Sequence, residues 1–283
     1  MKRALLPLAA LVSIAAGPAD DFHLFGKIEQ GGVAYGTAPT GTVSLTLAGQ
    51  PVPLAPNGRF MLGFDRDAPA SATLEARNVA GAVTTQTLQI APHAWRLEKV
   101  DVPKRPGVTN EEFEKLRAPE IARINAARAV NAQSEGWHQH FVWPAQGRIS
   151  GVFGSQRIYR GGERGDYHAG VDIAGGAGAP VTAPADGVVV LAADKPFTLE
   201  GNLLIIDHGM GLNSAFLHLS RIDVKQGDHV KKGQLIGAIG SSGRATGPHL
   251  HWALKWKDAR IDPMALTGAM PGQDLSKVPV VTN

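Results

Sequence analysis

The sequence predicts a mainly β chain: a small N-terminal β-sandwich, a short helical connector and a C-terminal all-β antiparallel domain. Three observations carry that expectation. Val43, Leu45 and Leu47 alternate with Thr42, Ser44 and Thr46, the period-two signature of a half-buried strand. From about residue 109 to 133 the apolar spacing becomes helical. Beyond Trp143, short β-branched runs return, separated by Gly, Asp-His-Gly and Ser-Ser-Gly turns. The 283 residues, 43% of them hydrophobic, suffice for about two cores. The 34 glycines and 19 prolines have no three-residue period, which excludes collagen.

The chain opens with Lys2 and Arg3, an apolar run from Ala4 to Ala16, and small residues after it. This layout predicts a signal peptide over 1–19 and hence export, with the periplasm favoured over secretion or the cell wall. The 13-residue run is shorter than the ~20 needed to span a bilayer, so no membrane span is expected after cleavage. No cysteine follows it, which predicts that there is no lipid anchor. Formal net charge is only +3, and two positive charges lie in that leader. So small a surplus supplies no phosphate-tracking stripe, and no nucleic-acid partner is expected.

Residues 20–102 read as the β-sandwich module, with Arg59–Leu62, Thr73–Ala76 and Thr87–Ile90 as further short strands around Pro-Asn-Gly and similar turns. Nothing catalytic is visible in it; a binding module and a spacer fit equally well. Residues 103–140 read as the connector. Thr109 with Glu112 forms a capping box, Pro119 interrupts the pattern, and Ile121, Ile124 and Ala127 resume it. A solvated linker is the first reading of this helix, and packing across an active cleft the second. Residues 141–270 form the second domain. Its candidate strands are 181–191, 202–207, 213–219, 234–239 and 249–255, with no helix of any length. Residues 271–283 read as a loose tail.

With no cysteine there can be no disulfide, thiol nucleophile or thiolate metal site, so any metal must take nitrogen and oxygen. Six of the ten histidines fall between His168 and His251. His249 and His251 are two apart, so on a strand they share a face about 6.6 Å apart. His168 and Asp172 are four apart with Gly170 between them, which allows both to meet one ion at a bent strand entry. His218 lies in an apolar strand. Taken singly, each of these is more often structural than functional.

Their combination resembles the lysostaphin-type (LytM-like) zinc peptidases of bacterial cell walls. The resemblance is carried by residues 167–174 and 178–189, then by Gly201-Asn202, Asp207-His208-Gly209 and Phe216–Ser220. Val230–Gln234 and Gly240–His251 complete it in the same order. It spans about 141–265 and implies a zinc-dependent endopeptidase that hydrolyses peptide cross-links of peptidoglycan. One zinc ion would be held by His168, Asp172 and His251, with His218 and His249 as the catalytic pair handling protons. A water on zinc can reach a pKa of about 7, within reach of a neutral imidazole. His208 and His229 read as structural and solvated, and Asn202, Arg244 and Thr246 as loop geometry. Phe216 stands where the family commonly has Tyr. Tyr159 and Tyr167 are the candidates for a supporting hydroxyl.

Two other readings compete. A zinc-less scaffold of the same family would regulate other wall hydrolases, but it is marked by lost ligands, and all five residues are present here. Divisome or wall-enzyme partners are not readable. A biotinyl- or lipoyl-type carrier would need an exposed hairpin lysine, for which Lys195 is the candidate.

Overall fold

The computed structural model describes residues 21–103 and 110–278; the leader lies outside the described residues. The N-terminal strands are β1 (His23–Gly26), β2 (Val33–Thr37), β3 (Thr42–Leu47), β4 (Gln50–Pro51), β5 (Arg59–Gly63), β6 (Ser71–Asn78) and β7 (Val83–Gln89). They form two antiparallel sheets, β1-β2-β5 and β4-β3-β6-β7. Leu45, Leu74, Ala76 and Leu88 from the second sheet pack with Ala34, Phe60 and Leu62 from the first in one buried cluster.

β5 is unlike the others. Phe60, Met61 and Leu62 are all fully buried, so neither face of this strand meets water. Its contacts beyond the sandwich are with two strands of the second domain, and Gly63 lies so close to Trp256 that a Cβ would come within 2.8 Å of the indole's Cβ. The hydrophobic cluster therefore continues without a break from Leu74 and Phe60 to Trp256 and Ile261. Arg66, just beyond β5, is buried across the same seam. It donates to the Gly154 carbonyl at 3.0 Å and to Gln156 at 3.2 Å, and its guanidinium stacks on Tyr167 at 4.7 Å.

β8 (Leu97–Lys99) leaves the sandwich and pairs in parallel with a strand of the second domain. Helix α1 (Glu111–Arg128) follows. Its cap is Asn110, whose side chain accepts the Phe113 amide at 2.7 Å; Thr109 lies outside the described residues. The predicted interruption at Pro119 does not occur. The helix runs through it, losing one backbone donor, because Ile124 and Ala127 are buried against β-strand residues Val190, Leu191, Leu203 and Ile205. Nor is α1 a solvated linker, as one edge of it covers the cleft.

The second domain comprises β9 (Arg148–Gly151), β10 (Gln156–Ile158), β11 (Arg164–Tyr167), β12 (Val171–Ala174), β13 (Pro180–Thr182), β14 (Gly187–Ala192), β15 (Asn202–Asp207), β16 (Leu212–Ile222), β17 (His229–Val230), β18 (Leu235–Ile239), β19 (Leu250–Trp256) and β20 (Ala259–Ile261). The expected strand 181–191 is two strands that pair with different partners, because Ala183–Asp186 turns between them. A single helical turn, α2 (Met264–Thr267), interrupts the all-β pattern. Through residue 278 the expected loose tail is docked: Val278 is buried, Gln273 accepts the Ile149 amide, and Arg96 donates to the carbonyls of Leu275 and Ser276.

The long central strand β16 pairs with β15, β18 and β19, and β19 pairs in turn with β12. The register there fixes the site. Asp172 stands directly opposite His251, and Leu217 opposite His251 on the other side. Strand alternation sends Val171, Ile173, Leu250 and Trp252 into the core, all fully buried. Asp172, His249 and His251 are left on the opposite face.

Candidate metal centre and active cleft

His168 sits at the entry to β12 with its backbone held on both sides by the 154–155 segment, the amide to Ser155 and the carbonyl from Gly154. The chain then turns through Gly170, where a Cβ would meet the Trp252 carbonyl at 2.4 Å and His251 Nε2 at 2.8 Å. Only a glycine lets the turn press this close to β19. The consequence is convergence: donor atoms of His168, Asp172 and His251 all lie within 4.8 Å of one another, and all three residues are buried.

Asp172 Oδ1 is the centre of this group. His251 Nδ1 lies 2.9 Å from it and His168 Nε2 3.1 Å. His168 Nδ1–H donates to the Val152 carbonyl at 3.2 Å, which leaves Nε2 as the lone-pair nitrogen. That Nε2 is fully buried yet poorly aligned for a bond to Asp172 and has no hydrogen-bond partner. Burial alone would push the Asp172 carboxyl up, but the hydrogen bond from His251 Nδ1 opposes it, and the group is held well below the usual carboxylate range. An ionised carboxylate and a buried, orphaned imidazole nitrogen beside a second imidazole form an N, N, O donor set that fits a metal ion.

Beside this triad stand His218 and His249, their rings 4.9 Å apart. Each is oriented by a carbonyl: His218 Nδ1–H donates to Ser242 and His249 Nδ1–H to Gly247, both at 2.8 Å. Both Nε2 atoms are thus lone-pair nitrogens, and that of His249 is 3.8 Å from Asp172 Oδ1. Burial pushes His218 down to about 4, so it is neutral near neutral pH. His218 also has φ 64°, a left-handed conformation rare for a residue inside a strand, at an irregularity in the β15–β16 register. Strain of that kind leaves no mark in a sequence.

The remaining histidines separate cleanly. His208 is fully buried, donating to the Asp186 carbonyl and accepting from Ser214, which fixes it as a structural residue. His229 is exposed. Asn202 donates to the Leu219 carbonyl and steadies β16. Tyr167 lines the cleft, whereas Tyr159 lies by the separate loop around Gly161. Thr246 is exposed.

Two joined cavities of about 440 and 320 Å³ extend from His218 and His251. Their walls include residues that sequence reasoning missed or set aside: Arg244, Glu200, Arg260, and from α1 Arg117, Ile124 and Arg128. The signal was present in the spacing 117, 121, 124, 128, which marks one helix face carrying an arginine at each end.

Residues 166–263 match the family described as Peptidase family M23. Over 126 residues the chain is 41% identical to peptidoglycan DD-endopeptidase ShyA of Vibrio cholerae, a stretch covering 44% of this chain and 29% of that protein. It is 37% identical over 110 residues to the DD-carboxypeptidase/endopeptidase Mpg of Neisseria meningitidis, covering 39% and 24% respectively. The match thus spans less than a third of these relatives' own lengths. A crystal structure from Pseudomonas aeruginosa described as a peptidase M23 superposes with a TM-score of 0.66 at 28% identity, covering 86% of this chain and 96% of that one. At that coverage the likeness extends well beyond residues 166–263. Residues 166–263 are accordingly a peptidase family M23 domain.

Proposed function

We propose that the protein is a zinc-dependent endopeptidase that hydrolyses peptide cross-links of bacterial peptidoglycan. The observation that carries this reading is the convergence of one buried carboxylate and two imidazoles beside a second pair of imidazoles with free Nε2 atoms. His168, Asp172 and His251 would hold one zinc ion, leaving a position open to water or substrate. When bound, zinc supplies a Lewis acid that polarises a peptide carbonyl and acidifies water.

The protein's own groups do the rest. Because Ser242 and Gly247 fix the tautomers of His218 and His249, each presents an acceptor to a proton released at the centre. The imidazolium so formed stabilises negative charge on the tetrahedral carbon's oxygen and returns the proton to the departing amine. Tyr167 and Arg244 on the cleft wall contact the substrate. The relatives named DD-endopeptidases favour a bond between D-configured residues, and a wall substrate places the enzyme outside the cytoplasm, in keeping with the basic-apolar leader.

Mass spectrometry of products from defined wall digests tests this. The expected result is new amine and carboxylate ends at one cross-link, lost with chelator, restored by zinc, and absent in His249→Ala. A zinc-loaded protein that cleaves no wall preparation would overturn it in favour of the scaffold reading.

A further inference from the structure

The wall of the cleft away from His218 is built from cations. Arg128, in the last turn of α1, is largely buried, its Nε has no hydrogen-bond partner, and no ion pair to it exists among the described residues. Lys255 on β19 is mostly covered, its ammonium reaching only the fully exposed Asp258 at 3.4 Å. Arg260 is exposed, resting over the Tyr167 ring at 5.6 Å and meeting its hydroxyl at 3.4 Å. Burial and the nearby Arg260 both push Arg128 down from its usual range, and burial followed by Arg128 does the same to Lys255. Among the described residues that line the 320 Å³ cavity the one carboxylate is Glu200, and it is already bonded to Arg117. Glu200 lies close enough for its charge to offset part of this, but a guanidinium kept from water with no bonded anion remains costly unless something anionic arrives to pair with it.

We propose that this end of the cleft binds a free carboxylate of the peptide substrate, gripped by Arg128, Arg260 and Lys255, so that the connector helix forms part of the substrate site. The inference rests on the hydrolase reading and adds the class of substrate: an acidic peptide whose free carboxylate lies a short distance from the bond cleaved. Geometry supports it. The 320 Å³ cavity that contains these three cations shares His251, Ala169, Leu217 and Arg260 with the 440 Å³ cavity at His218, so one peptide can occupy both. A planar guanidinium matches a carboxylate with two parallel hydrogen bonds, which gives the site orientation as well as charge.

The test uses the full chain loaded with zinc and two substrates, a cross-linked wall peptide with free carboxyls and the same peptide with those carboxyls converted to carboxamides. The expected wild-type result is a KM about tenfold lower for the free acid at similar kcat, the scale of one charge-assisted pair. Arg128→Gln and, separately, the exposed Arg260→Gln should erase that preference by raising KM for the acid only. Arg128→Lys should restore part of it, and Lys115→Gln on the solvent side of α1 should change neither substrate. Calorimetric titration of both peptides into zinc-free protein should give the same ranking. Equal binding of acid and amide by the wild type, or equal loss for both in the variants, would overturn the proposal. Discrimination in binding without any hydrolysis would uphold the carboxylate site and remove the hydrolase reading instead.

Discussion

Arg117 on the connector helix grips Glu200 through two hydrogen bonds of 2.6 and 2.7 Å, and the carbonyl of that same Glu200 accepts the backbone amide of His218 at 2.9 Å. The helix is therefore two bonds away from a histidine at the centre of the cleft. Arg117 also pairs with Glu120, which in turn receives the amide and hydroxyl of Thr198. Arg117→Ala should leave Glu200 without its partner and loosen the 198–200 loop. We expect about a tenfold fall in kcat with zinc content unchanged, and a loss of roughly 1–2 kcal/mol in denaturant unfolding, below the figure for a fully buried pair. Wild-type kcat in this variant would show that the clamp does not position His218.

The left-handed backbone of His218 makes an unusual prediction about stability. Both His218→Ala and His218→Gly should abolish hydrolysis. Glycine, however, adopts φ near 64° without a Cβ penalty, so the glycine variant should be the more stable of the two by about 1 kcal/mol. Urea unfolding of the pair decides it; an alanine variant as stable as the glycine one would mean that the strand relaxes around the mutation.

Metal loading should be visible without any substrate. An ion held only by the folded protein stabilises it by about 4 kcal/mol at a thousandfold excess over Kd. Zinc should accordingly raise the melting temperature of chelator-treated protein, and Asp172→Ala, which removes the central carboxylate, should abolish the rise. Gly170→Ala should weaken it as well, because its Cβ would push against His251 and the Trp252 carbonyl.

Asp262 supplies a pH prediction remote from the cleft. Burial raises its carboxyl to about 6, against the Met264 amide bond that opposes the shift. The native state thus binds its proton more tightly than the unfolded chain. The associated stability is present in full below pH 4 and lost as pH rises through 6. Asp262→Asn keeps the acceptor and removes the charge. It should stabilise the protein by up to about 2 kcal/mol at pH 8, with the gain vanishing by pH 4. A gain that is constant with pH would assign the effect to packing.

Much of the fold was legible because strands of this domain are short and bounded by glycine. Asn202–Asp207 was read with its observed ends, and β16, β18 and β19 to within a few residues. The shared face of His249 and His251 follows from strand alternation alone. What no single segment contains is register. That Asp172 faces His251 depends on how β12 pairs with a strand 79 residues away. The helix through Pro119 was misread because proline's cost is local, while the burial of Ile124 and Ala127 that offsets it is tertiary. The sandwich was recognisable from alternation, but β5, apolar on both faces, signalled a second neighbour that alternation could not name.

That second neighbour has a mechanical consequence. With Phe60, Met61 and Trp256 in one core and Arg66 bonded across to Gly154, pivoting the sandwich about the cleft would have to open that core and break that bond. If the substrate is the wall polymer proposed above, a sandwich resting on it would present the cleft to the strand at one pitch and height. The reach of the proposed peptidase would then be set by the offset between its two halves, and lengthening the connector would not extend it.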